Sequence, residues 1–289
     1  MSKLKSSNET KNINKTELVN QSIDYMIQHM SDELTVKEVA DYFHYSEFYF
    51  SRVFKSVTGD SVYAYLKQLK MNQSAIDIKL KRDKSITEIG LDYGYTASNY
   101  SSVFKTQHKI TPSEFRKKID CYQMKSPFGT ENIEIFKSFS EYHNHMTIEI
   151  LPDYDVIYER VFGTYYDLKN KWIEFLEKYK EHIKNNTILI ERFFDDPTIT
   201  DPNHCVCDLC ATFIECGTFT NRTVLKGGKF AVYRYEGKID GIFGTVQGIF
   251  SVWLPSSGFE MDERFGLHIY RSIDIESQFV VMDLCIPIK

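Results

Sequence analysis

The stretch with the most obvious chemical reach is His204-Cys205-Val206-Cys207-Asp208-Leu209-Cys210, with Cys216 beyond it. Thiolates and imidazoles are zinc ligands, and paired thiols do redox chemistry. In a strand, however, Cys207 and Cys210 point to opposite faces. Cys205 and Cys207 share a face and could, with His204, hold a metal or form a redox pair. Structural zinc wants four convergent ligands, and a CxC strand supplies two. Apolar packing explains the cysteines better. Gly241-x-x-Gly244-x-x-x-Gly248 opens a helix but has neither the Lys-Ser/Thr end of a phosphate loop nor the spacing of a dinucleotide fingerprint. No GxSxG or HExxH occurs. The reading is of a chain without catalytic residues, metal or cofactor.

A different chemistry lies on a short helix near residue 50. If Phe50, Val53 and Phe54 face inward at helical spacing, then Phe48, Tyr49, Ser51, Arg52 and Lys55 lie on or beside the outer face. The elements that position this face occur twice. With an offset of 50, Val36–Leu66 falls on Ile86–Arg116, matching Glu38 with Glu88, Tyr45 with Tyr95, and Val53-Phe54-Lys55 with Val103-Phe104-Lys105. Each copy predicts one helix, a break at His44-Tyr45 or Gly94-Tyr95, and a second helix opened by the N-cap candidate Ser46 or Thr96. Two helices with a tight turn and a partly basic outer face are the helix-turn-helix design, whose second helix enters the major groove. Leu18, Ile23, Met26 and Met30 predict a preceding helix over residues 16–30. Val62, Leu66, Leu69, Ile76 and Leu80 predict a long one between the units, which fixes their separation.

These residues carry a resemblance. Tyr49-Phe50-Ser51-Arg52, Phe54-Lys55 and Gly59 in the first unit, with Thr111-Pro112-Ser113-Glu114-Phe115-Arg116 closing the second, resemble the DNA-binding domain of AraC/XylS-type transcription regulators over about residues 16–118. The resemblance implies a monomer that sets two recognition helices into successive major grooves, about 34 Å apart. It assigns base reading to Phe48, Ser51 and Arg52 in the first unit and to Ser98, Asn99, Ser101 and Ser102 in the second. Arg52 has the clearest chemistry, because guanidinium can pair bidentately with guanine. Lys55 and Lys105 suit phosphates, and Tyr49 flanks the reading face. Two departures stand out. Ser102 replaces a frequent second arginine, and Lys109 stands where the first unit has Gly59, so the second unit is expected to position more than it reads.

Charge divides the chain. Residues 1–120 carry 18 Lys and Arg against 15 Asp and Glu, and the remainder carries 17 against 25. The basic end suits double-stranded DNA and the acidic end something else, such as a cation. No apolar run approaches the roughly 18 residues of a membrane span. Residues 1–15 read as a polar, disordered tail without the apolar core of a signal peptide. Six cysteines without a secretory signal point to reduced thiols in the cytoplasm. Residues 119–146 read as a linker broken at Pro127 and Gly129, with a docking segment through Ile133, Phe136, Phe139 and Tyr142, and with His143 and His145 in a surface loop.

The remaining part, residues 147–289, also repeats. Asp155–Gly163 falls on Lys229–Gly237, a helical pattern follows each, and Val206–Cys210 echoes Val281–Cys285. This predicts an α+β domain of two β-α-β-β units, with antiparallel sheets, helices to one side and a cleft near the pseudo-two-fold axis. Leu151-Pro152-Asp153, Phe194-Asp195-Asp196-Pro197, Trp253–Phe259 and Cys285-Ile286-Pro287-Ile288 resemble the GyrI-like effector-binding domain. That resemblance implies an aromatic cleft with an acidic residue for amphipathic, often cationic, small molecules. His268, before Ile269-Tyr270, stands where the family often has its glutamate, and Asp283 matches a second acidic position. Carried over, the cleft is expected to be lined by Trp253, His268, Tyr270 and Asp283, with Tyr165 and Phe213. Some such domains resemble hydrolases of reactive ligands; His268 in the glutamate's place argues against that here.

The multidomain chain is thus read as a ligand-responsive DNA-binding transcription regulator. RNA polymerase is a further candidate partner. The rivals are a ligand-sequestering or adaptor protein and a hydrolase.

Overall fold

The computed structural model describes residues 14–30, 34–120, 136–163, 167–196, 198–213, 219–274 and 276–289. The expected tail through residue 13, Pro127, Gly129 and Ile133 of the linker, Tyr165 and Cys216 lie outside the described residues.

The first half is helical: α1 Lys15–Gln28, α2 Val36–Tyr42, α3 Glu47–Thr58, α4 Val62–Leu80, α5 Ile86–Asp92, α6 Ala97–His108 and α7 Pro112–Asp120. Local chemistry sets the boundaries. Thr35 with Glu38 and Ser85 with Glu88 form reciprocal capping boxes at the first helix of each unit. Ser46 caps α3 through the Tyr49 N–H, whereas Thr96 makes no such bond to α6. Helix α3 ends on Gly59 at φ 84°, and α6 ends the same way on Lys109 at φ 63°. The left-handed stop is therefore kept without its glycine.

Two small cores result. Leu18, Ile23 and Met26 of α1 join Phe50, Phe54 and Leu66 in one; Met71 and Ile78 of α4 join Tyr100, Phe104 and Phe115 in the other. Helix α4 belongs to both, as a rigid spacer must. A Cβ on Gly90 would come within 2.8 Å of the Tyr100 ring. The missing side chain lets Tyr100 pack there and donate its hydroxyl to Ser74 Oγ at 3.0 Å.

After α8, Phe139–Asn144, the chain forms β1 Met146–Leu151, β2 Tyr154–Phe162, α9 Leu168–Tyr179, β3 Leu189–Phe193, β4 Val206–Thr212, β5 Arg222–Leu225, β6 Gly228–Lys238, α10 Gly241–Gly248, β7 Gly266–Asp274 and β8 Phe279–Pro287. Helix α10 runs on through a π-helical turn, Ile249–Trp253. His143 lies in the last turn of α8 rather than in a loop, and Phe139 and Tyr142 dock on the core beneath the π turn.

The strands form one antiparallel sheet in the order β1-β6-β8-β7-β3-β4-β2-β5. The two units β2-α9-β3-β4 and β6-α10-β7-β8 meet at β3 and β7, so the pseudo-two-fold axis passes between those strands. A single sheet forms because Ile190 pairs with Ile269 and Glu191 with His268 across the seam. Alternation then fixes two faces. Cys207 and Leu209 face α9, and Met282 and Leu284 face α10, so both helices cover one face. Ile190, Cys210, Ile269 and Cys285 lie on the other and join one cluster with the edge residues Leu151 and Leu225.

Candidate DNA-binding face and effector site

Helices α3 and α6 turn polar faces outward because their apolar residues are committed to the cores. Phe48, Arg52 and Lys55 on α3 are exposed, while Tyr49 and Ser51 are half-buried. Phe48 is 80% exposed, an unusual position for a phenyl ring when Phe50 and Phe54 of the same helix are fully buried. Arg52 reaches over the Tyr49 ring, 5.9 Å from its centroid. On α6, Ser98, Asn99, Ser102 and Lys105 are exposed and Ser101 is half-buried. Ser102 Oγ donates back to the Ser98 carbonyl at 3.1 Å, so part of its hydrogen-bonding capacity is used within the helix.

The second site forms on the helix-covered face at the seam between the two units. Glu191 of β3 is 3% exposed. Its Oε1 accepts from the Trp172 indole N–H of α9 and from the Tyr270 hydroxyl of β7, both at 2.7 Å. His268 Nδ1 lies 3.5 Å from Oε2. The Trp172 and Tyr270 rings meet edge to face with centroids 5.5 Å apart, and Phe193 packs on His268 at 4.4 Å. Burial, with the Glu191 carboxylate second, pushes the Tyr270 phenol well above its ordinary value, so the phenol stays a donor.

Among the described residues no lysine or arginine pairs with Glu191; its donors are an indole and a phenol, with an imidazole nitrogen 3.5 Å away. Such a carboxylate is hydrogen-bonded but not charge-compensated by a permanent cation. Half-buried aromatic faces beside it form the environment that a desolvated organic cation favours.

Of the expected effector residues, His268 and Tyr270 converge on this carboxylate. Trp253 does not: it is fully buried under α8, where its indole N–H meets His143 Nδ1 at 3.4 Å. Asp283 pairs across the strand with Ile269, not with Tyr270, and so lies on the opposite face, bonded by Arg234 and Arg271. Phe213 lies past the end of β4 beneath the Arg222 guanidinium, 4.3 Å from its centroid. Sequence reasoning missed Glu191 and Trp172. A usable signal was present: one carboxylate alternating with Leu189 and Phe193 in a short apolar strand, with a tryptophan on the helix before it.

Buried Cys205, Cys207, Cys210 and Cys285 are free thiols, and burial pushes all four upward, which makes them poor nucleophiles. Cys207 and Cys210 do face opposite sides of the sheet. Among the described residues no three His, Cys, Asp or Glu side chains converge as metal ligands, and no helix is long and apolar enough to cross a membrane.

The two halves are joined by two ion clusters, the first of them on the reverse face of β3. Arg160 of β2 binds Asp208 at 2.8 and 3.0 Å, and reaches the Asn20 carbonyl at 2.9 Å and Asp24 at 2.8 Å on α1. Arg192, the neighbour of Glu191, also holds Asp208. Lys79 of α4 is buried against Asp196 at 2.9 Å and Gln247 of α10 at 2.6 Å. Burial alone would raise the carboxyls of Asp208 and Asp196. The neighbouring cations outweigh it and hold both below the ordinary aspartate value.

Comparison with known proteins agrees with this division. Residues 39–118 match a helix-turn-helix domain family, and residues 145–289, half of the chain, match the GyrI-like small molecule binding domain. The Transposon Tn10 TetD protein of Escherichia coli is 33% identical over 93 residues, 32% of this chain and 67% of TetD. The Right origin-binding protein of Escherichia coli K12 is 22% identical over 257 residues, 84% of this chain and 86% of that protein. A crystal structure of an AraC-type DNA-binding domain protein from Chromobacterium violaceum is 25% identical and covers 36% of this chain and 92% of that one, with a TM-score of 0.34. With a duplicated helix-turn-helix before a doubled β-α-β-β sheet, the chain belongs to the AraC-type transcription regulators that carry a C-terminal GyrI-like small molecule binding domain.

Proposed function

We propose that the effector is an amphipathic organic cation that binds against Glu191 between Trp172, Phe193, His268 and Tyr270, and that its binding alters promoter DNA affinity through β3. The observation that carries the reading is the buried Glu191 carboxylate, which accepts from Trp172 and Tyr270, lies 3.5 Å from His268 and faces no described lysine or arginine. A lipophilic cation supplies the missing countercharge and loses little hydration in doing so.

Strand β3 gives a short route for coupling. Glu191 addresses the effector, while Arg192 on the reverse face addresses α1 through Asp208 and Asp24. Asp196, three residues past β3, addresses Lys79 on the helix that spaces the two readers. Coupling requires that the effector bind the two packings with different affinity. The DNA contacts are Phe48, Tyr49, Ser51, Arg52 and Lys55 in the first unit, and Ser98, Asn99, Ser101, Ser102 and Lys105 in the second. RNA polymerase is the third partner.

Calorimetry with a lipophilic phosphonium and an uncharged analogue of the same shape tests the site. Glu191→Gln should weaken the cation at least tenfold and leave the neutral analogue within about twofold, and the cation should shift promoter affinity of the native protein alone. Equal affinities of both compounds for both proteins would remove Glu191 from the effector site.

One contact favours a second reading. The hydrogen bond between Glu191 and the Tyr270 hydroxyl pairs a carboxylate with a phenol, groups that can serve as general base and acid in a hydrolase. It requires a cleaved product, detectable by mass spectrometry and absent with Glu191→Gln.

A further inference from the structure

The two β-α-β-β units repeat an ion cluster as well as a fold. In the first unit Arg160 lies opposite Asp208 across β2 and β4, with Arg192 from β3 completing the cluster. In the second unit Arg234 lies opposite Asp283 across β6 and β8, with Arg271 from β7 completing it. Pairing of Ile190 with both Cys210 and Ile269, and of Ile269 with Asp283, puts the two clusters on the same face of the sheet. Arg271 sits at the register shift between Tyr270 and Ser272. A bulge of this kind re-aims a side chain, here onto Asp283.

The clusters differ in what covers them. Each contains two guanidiniums bound to one carboxylate, which leaves outer guanidinium donors to be met. In the first, helix α1 supplies the acceptors. Asp24 and the carbonyl of Asn20, four residues earlier and so one turn away, accept from Arg160, whose side chain is 0% exposed. In the second, no described residue takes that place. The Arg234 and Arg271 side chains are 51% and 42% exposed, while Asp283 beneath them is 2% exposed.

We propose that Arg234, Arg271 and Asp283 form a docking socket for a helix of a partner protein, one that presents a carboxylate one turn after an accessible main-chain carbonyl. The first cluster shows what such a socket accepts: a carboxylate and a carbonyl at helical spacing take the outer guanidinium donors while the inner aspartate holds the arginines apart. The two guanidiniums are only partly offset by neighbouring carboxylates, so selection rests on their free donors being met at helical spacing, and each added negative charge of a polyanion is disfavoured further. Glu149 and Glu236 act on Arg234 from nearby and would oppose a nucleic-acid backbone. The socket lies on the face opposite Glu191, so a partner there leaves the effector site open.

The probe is a synthetic peptide with the sequence of residues 14–28, stapled between Gln21 and Gln28, which are exposed on α1, and titrated into the full-length protein by fluorescence anisotropy. The native peptide should bind at least tenfold more tightly than the same peptide with Asp24→Asn, a comparison that leaves the protein unaltered. Binding should fall by a similar factor in Arg234→Gln/Arg271→Gln/Asp283→Asn, which removes the socket without stranding a buried carboxylate. A random DNA duplex at concentrations that occupy α3 and α6 should not displace the peptide. The proposal is overturned if no binding occurs up to millimolar peptide, if the two peptides bind alike, if binding survives the triple substitution and so reports exchange with α1, or if DNA or inorganic phosphate competes at the socket.

Discussion

Arg52 and Lys105 stand on the outer faces of equivalent helices but should serve DNA differently. An arginine reading guanine gives discrimination of about 1–3 kcal/mol at one base pair, whereas a lysine on phosphate gives affinity without sequence information. Arg52→Ala is therefore expected to relax specificity at a single operator position. Lys105→Ala should weaken all sites alike and lower the slope of log affinity against log salt by about one. Selection from a random DNA library over a salt series separates the two effects; equal losses on operator and random DNA for both variants would refute the assignment. The outer face of α3 was readable because helical periodicity commits Phe50, Val53 and Phe54 inward and leaves Arg52 no alternative. Asp283 was misjudged because its role depends on which strand lies beside it. Once Ile269 is its cross-strand partner, Asp283 points away from Tyr270.

At the scale of elements, the second helix-turn-helix keeps its geometry at a local cost. Lys109 adopts φ 63° to end α6, where Gly59 ends α3. Left-handed backbone costs a residue with a side chain about 1–2 kcal/mol, and glycine gives back about 0.4–1 kcal/mol through the greater freedom of the unfolded chain. Lys109→Gly is thus expected to stabilise the protein by about 0.5–1 kcal/mol in urea unfolding, with DNA specificity unchanged. A loss of stability would mean that the bond from Lys109 Nζ to the Thr106 carbonyl outweighs the backbone strain. Helix lengths, caps and the doubled β-α-β-β order were legible because capping and periodicity are local. The pairing of β3 with β7 was not, because no local signal states that two half-sheets fuse edge to edge.

For the whole molecule, the interface between the halves should be sensitive to acid. Asp208 and Asp196 are held below the ordinary aspartate value by Arg160, Arg192 and Lys79 despite burial. A depressed carboxyl contributes stability that is complete above the unfolded value, about 3.9, and is lost as pH falls through the lower folded value. Melting temperature should therefore be insensitive to these groups from neutrality to about pH 4 and should drop below it. Asp208→Asn leaves Arg160 and Arg192 without their inner partner, so it should cost about 3–5 kcal/mol at pH 7 and flatten the acid limb. Calorimetric scans of both proteins between pH 2.5 and 7, read against the ordinary value, check this; parallel limbs would show that other carboxyls govern acid unfolding.

The sequence by itself determined the two duplications, the helical and strand periods, the exposed face of α3 and the family resemblance of each half. All of these depend on residues close together in the chain. Only the tertiary structure decided that Glu191, Trp172, His268 and Tyr270 share one site, that Arg160 bridges to α1, and that Arg234 and Arg271 remain exposed over a buried Asp283 on the far side. The physical reason is strand alternation: moving one residue along β3, from Glu191 to Arg192, changes which face is addressed, and only the register across the seam fixes which distant residues share that face.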